Sequence, residues 1–86
     1  MVVLFYGGVL EKTGGEKMFE SKSCPNLRAL VEELGSHFGG DFREYLLRGN
    51  NCFFLINGKG IMTTGGLDSE LESGDKIEVL PIVEAG

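Results

Sequence analysis

Eighty-six residues, 42% of them apolar and with six Phe, two Tyr and no Trp, supply one core and no second domain. Thirteen acidic against eight basic side chains leave a net charge of -5, which repels both phosphate backbones and anionic lipid, so no nucleic-acid or membrane partner is expected. Two cysteines, Cys24 and Cys52, are too few for a disulfide framework and lack zinc-ligand spacing, which leaves them as reduced, buried thiols.

The first predicted element is a strand over residues 2–6, the apolar run VVLFY. The opening MVVLFYGGVL has neither a basic leader nor the length to span a bilayer, so it reads as a buried strand and the expected location is cytoplasmic. Thr13-Gly14-Gly15-Glu16 tolerates positive φ and predicts a hairpin turn into a second strand, residues 17–20. Pro25 followed by Asn26 predicts a helix start, with Asn26 accepting from an orphan amide.

Leu27, Leu30, Val31, Leu34 and Phe38 recur at helical spacing and draw one apolar stripe for a sheet to cover. Gly39-Gly40 ends that helix, and Asp41 with Glu44 predicts a capping pair opening a short second helix over 41–48. Cys52–Ile56 is a third strand, Asn57-Gly58 a tight turn, and residues 61–64 a fourth strand. Leu67 and Leu71 bracket a polar turn and are placed to plug the base of the core. Residues 76–80 alternate polar and apolar as a last strand, which Pro81 ends by removing a backbone donor.

The order ββααβββ, with the last strand near the first, describes an α+β β-grasp fold: a mixed sheet of four or five strands wrapped on one main helix, with a short second helix. It divides the chain into a folded part, 1–80, and a flexible tail, 81–86.

The segments VLFYGGVLE, PNLRALVEEL, LING and SGDKIEVLPIVEAG, in this order and ending at glycine, resemble the ubiquitin-like sulfur carriers of the MoaD/ThiS type. The likeness covers nearly the whole chain and is strongest to the small subunit of molybdopterin synthase, because of the extra helix at 41–48. It implies a carrier rather than an enzyme. An E1-like adenylating enzyme would use ATP to join AMP to the carboxylate of Gly86, a sulfur-donor enzyme would displace the AMP, and the thiocarboxylate would serve the molybdopterin synthase large subunit. No permanently bound cofactor is implied, only a transient acyl-adenylate at Gly86. Carriers for thiamine or tRNA thiolation, and ubiquitin-like modifiers conjugated through Gly86, share the same pattern.

The chemistry fits a chain end. A terminal carboxylate, with a pKa near ~3.5, is an anion at neutral pH that nucleophiles avoid until adenylation neutralises it and supplies a leaving group. Pro81, Ile82, Val83, Glu84, Ala85 and Gly86 can extend roughly 20 Å, enough to thread into a partner's site. The family ends in two glycines, and Ala85 replaces the first of them here. Its methyl would add roughly 1–2 kcal/mol only where the bound tail needs positive φ. Tyr6, Ile61 and Leu80 are the candidates for an apolar partner surface beside the tail, with Glu78 and Glu84 as acids facing a basic rim. His37 has no companion that would make it catalytic.

Overall fold

The computed structural model describes residues 1–22, 24–48, 51–62 and 66–82. Its five strands are β1 (Val2–Phe5), β2 (Met18–Glu20), β3 (Cys52–Ile56), β4 (Lys59–Ile61) and β5 (Lys76–Pro81), and its helices are α1 (Leu27–Phe38) and α2 (Gly40–Leu47). They form one mixed sheet in the order β2-β1-β5-β3-β4, the β-grasp arrangement. The central pair β1 and β5 runs parallel, a connection that requires the whole intervening chain as crossover, and the other pairs are antiparallel.

Strand alternation assigns the two faces. Val3, Phe5, Cys52, Phe54, Ile77 and Val79 are buried beneath the helices, together with Leu27, Leu30, Val31, Leu34, Phe42 and Leu46. An edge-to-face cluster of Phe5, Phe38 and Phe42, with ring centroids 5.4–5.8 Å apart, locks both helices onto β1. His37 lies in the same layer, 4.6 Å from the Phe38 ring and 4.8 Å from that of Phe19.

Asn26 caps α1 as its sequence context requires, its Oδ1 accepting from the Ala29 N–H at 2.9 Å. The next orphan amides at that end are satisfied from residues 67–71. Leu27 N–H donates to the Ser69 carbonyl and Arg28 N–H to that of Leu67, while Leu71, buried as expected, donates its N–H to the Pro25 carbonyl.

Five expectations are corrected. The β1–β2 hairpin is real, but a 3-10 helix, Gly7–Glu11, intervenes, so β1 stops at Phe5 and Tyr6 becomes that helix's N-terminal flank. Gly14 and Gly15 do adopt positive φ, 68° and 89°, yet they close the helix, Gly15 N–H donating to the Leu10 carbonyl, and β2 begins only at Met18. The Asp41/Glu44 capping pair does not form. Gly39 ends α1 and opens α2 at once, which puts Asp41 inside the first turn of α2 rather than at its cap.

The fourth strand starts at Lys59, earlier than 61, because Asn57 and Gly58 at φ 52° and 87° turn the chain in two residues and set Ile56 opposite Lys59. Of the expected 61–64 segment, Thr63 and Thr64 lie outside the described residues. Lastly, β5 runs through Pro81 instead of stopping before it. Pro81 stands opposite Cys52 at a position whose own amide is not used for pairing with β3, the bond there being made by the Ile82 N–H to the Asn51 carbonyl, so the missing donor costs that ladder nothing.

Candidate functional site at the end of β5

Among the predicted tail residues, Pro81 and Ile82 are described and Val83, Glu84, Ala85 and Gly86 lie outside the described residues. The described part of the site is therefore the end of β5 and the residue that follows it. There β5 is held from both sides. Tyr6 N–H donates to the Val79 carbonyl at 3.1 Å on the β1 side, and Ile82 N–H donates to the Asn51 carbonyl at 3.0 Å on the β3 side.

Two further contacts fix those holds. Gly7 has φ 57°, and a Cβ built on it would lie 3.0 Å from Pro81 Cγ, so the ring rests directly on the glycine backbone. Asn51 is pinned to the end of α2, its N–H donating to the Arg48 carbonyl and its Nδ2 to the Tyr45 carbonyl at 3.2 Å each.

The three surface candidates separate. Leu80 stands opposite Phe53 on the face away from the helices, where Glu78 stands opposite Leu4 and Leu55, and Met18 opposite Leu4. Tyr6, 39% exposed, joins this face by donating its hydroxyl to Glu78 Oε2 at 2.8 Å. Ile61 does not join it. It stands opposite Phe54 and packs, half-buried, against the core cluster, because directly paired residues share a face and Phe54 points into the core.

Glu78 is largely enclosed rather than projecting: beyond the Tyr6 hydroxyl it has Lys76 Nζ at 3.9 Å. That hydrogen bond, with burial and the Glu78 charge behind it, holds the Tyr6 phenol above its ordinary pKa.

Sequence reasoning missed a groove of about 490 Å³ lined by Lys12, Asp41, Glu44, Tyr45, Arg48 and Asn51. It joins the 3-10 helix region to α2 and touches the tail root through Asn51, and its residues come from three segments with no common motif. Neither thiol offers chemistry. Burial pushes Cys52 up to about 11, and burial likewise raises Cys24, whose Sγ donates to Glu33 Oε1 at 3.2 Å. Among the described residues no cluster of three or more metal-ligating side chains forms, and no helix is long and apolar enough to cross a membrane.

Comparison with known proteins gives a consistent result. The family model of the ThiS family matches residues 3–86. Among solved structures, Mycobacterium tuberculosis CysO is similar at 25% identity and TM-score 0.78, over 95% of this chain and 98% of that one. The subunit 1 and 2 complex of molybdopterin-converting factor from Helicobacter pylori is similar at 27% identity and TM-score 0.67, over 99% and 96%. The Amycolatopsis orientalis BexX/CysO complex matches in fold, at 24% identity and TM-score 0.76, over 99% and 98%. Two of these are complexes with partner proteins. Comparison with curated proteins returns no match.

Proposed function

The chain belongs to the ThiS family of ubiquitin-like sulfur carriers, and from that premise we propose that it delivers sulfur for molybdopterin biosynthesis as a C-terminal thiocarboxylate on Gly86. The observation that carries the reading is a family match running through Gly86 on a β-grasp fold whose last described strand ends at Pro81. Helix α2 and the likeness to the Helicobacter pylori complex favour the molybdopterin branch. A carrier for another sulfur metabolite is the second reading, favoured by the closer overlay on CysO.

In the proposed cycle the Gly86 carboxylate attacks the α-phosphorus of ATP, and pyrophosphate leaves. A donor's persulfide then attacks the acyl carbon and expels AMP, and a second thiol cleaves the sulfur–sulfur bond to free the thiocarboxylate. The adenylating enzyme, the sulfur donor and the synthase large subunit supply the reacting side chains and bind the ATP. This chain supplies the acyl group, its reach and a docking face built from Tyr6, Leu80 and their neighbours. Such a cycle belongs in the cytoplasm, where ATP is available.

Intact-mass analysis after incubation with an adenylating enzyme, ATP and a sulfur donor tests the proposal. The expected product is heavier by the difference between one sulfur and one oxygen, and a chain lacking Gly86 gives none. Adducts to lysines of other proteins would instead indicate a modifier. An unchanged mass with every adenylating enzyme that accepts other family members would reject the carrier role.

A further inference from the structure

On the carrier reading just given, we infer that Gly7 and Asn51 are positioning residues that aim the C-terminal tail at the activating enzyme. They act on Pro81 and Ile82, the last described residues of the chain, and they do so from opposite sides of β5.

On the β1 side the contact is steric. Gly7 has φ 57°, a conformation that any other L-residue adopts only with strain, and a methyl there would sit 3.0 Å from Pro81 Cγ and 3.4 Å from Pro81 Cδ. The proline ring therefore fills the space that a Cβ at position 7 would take. Because the ring also fixes its own φ, its seat on Gly7 sets the direction of the chain that follows. The neighbouring Gly8 offers a contrast in space but not in backbone conformation: it lacks the positive φ of Gly7, and a Cβ there meets nothing within 4 Å.

On the β3 side the contact is a hydrogen-bond relay. The end of α2 holds Asn51 through the Arg48 and Tyr45 carbonyls, and the Asn51 carbonyl receives the Ile82 N–H at 3.0 Å. The side-chain amide thus orients a backbone carbonyl whose service is one residue beyond the strand. Nothing in the buried core requires it: the last buried residue of β5 is Val79. A bond made past the end of the core, by a residue tied down for the purpose, constrains the tail's departure more than the domain's stability.

A carboxylate held at the far end of four further residues amplifies any error at their root. A misplacement of about 1 Å at a reacting centre costs up to roughly 10²-fold in rate.

The test measures adenylation of the wild-type chain, Gly7→Ala, Gly8→Ala and Asn51→Ala by one adenylating enzyme that accepts the wild type, with thermal unfolding and the Ile82 amide exchange rate of each. Expected are a fall in kcat of about tenfold or more for Gly7→Ala and Asn51→Ala, near wild-type rates for Gly8→Ala, and faster exchange at Ile82 in Asn51→Ala. The double variant Gly7→Ala/Pro81→Ala, which removes the ring that the new methyl meets, should regain part of the loss.

If Gly7→Ala fails to fold, Asn51→Ala alone decides. A wild-type chain that accepts AMP, with folded variants equal to it in kcat, overturns the positioning role and leaves the carrier reading standing. A wild-type chain refused by every adenylating enzyme takes both down.

Discussion

A methyl added at Gly35 would lie 2.7 Å from Cβ of Arg43, closer than real Cβ contacts come. Gly35 is buried where α1 meets α2, and Arg43 is held from its other end by Glu32 at 2.7 Å and by Glu44 at 3.8 Å. The helix gains roughly 0.5–1 kcal/mol when glycine becomes alanine, but overpacking at a fixed crossing costs roughly 1–3 kcal/mol. The clash wins. Gly35→Ala should therefore destabilise the fold by about 1–2 kcal/mol. Gly40→Ala, where a Cβ meets nothing within 4 Å, should be neutral to slightly stabilising. Urea denaturation of the two variants side by side checks the prediction, and equal effects would mean that the interhelical contact yields freely.

At the scale of elements, two turns far apart in sequence are tied into one. Asn57 Nδ2 donates to Asp75 Oδ1 at 2.8 Å, Asn57 Oδ1 accepts from the Lys76 N–H at 2.9 Å, and Asp75 Oδ2 accepts from the Glu72 N–H at 2.8 Å. The Glu72 amide first and Asn57 second hold the Asp75 carboxyl below its ordinary pKa of 3.8. A depressed folded-state pKa contributes stability that is fully present above the unfolded value and is lost as pH falls through the folded one. Asp75→Ala should therefore cost most at neutral pH, and its gap from wild type should narrow as pH drops below 3.8. Denaturation curves at a series of acidic pH values read that gap, and a constant gap would remove the ionised carboxylate from the account.

The same turns show what the sequence discloses about elements. Asn57-Gly58 and the α1 stripe are local signals, carried by neighbouring residues, and the structure reproduces both. The 3-10 helix, the early start of β4 and the Gly39 junction depend on where distant segments sit. Gly7 becomes intelligible only once Pro81 lies against it, and Asn51 only once Ile82 needs an acceptor. Composition at positions 7 and 51 says turn. The candidate patch divided for the same reason, because the face on which Ile61 falls is decided by its register with Phe54.

For the whole molecule, the decisive fact is that helices cover one side of the sheet. Along β5 the side chains alternate, so Ile77 and Val79 enter the core while Lys76, Glu78 and Leu80 take the other face. Adjacent residues therefore carry separate duties, one stability and one docking, and single substitutions can part them. Val79→Ala removes wholly buried methyl groups and should cost about 1–2 kcal/mol of stability, while the fraction still folded is adenylated with the wild-type KM. Leu80→Thr introduces a β-branched residue suited to a strand and leaves the core untouched, so its stability should stay within about 0.5 kcal/mol of wild type.

Its docking face is another matter. Loss of the apolar contact beside Phe53 and Tyr6 should raise the KM for adenylation about tenfold, equivalent to roughly 1.4 kcal/mol of partner affinity. Thermal unfolding and steady-state adenylation of both variants form the test. If Leu80→Thr unfolds early with an unchanged KM, this face serves the fold instead of a partner, and the carrier must be gripped by its tail alone.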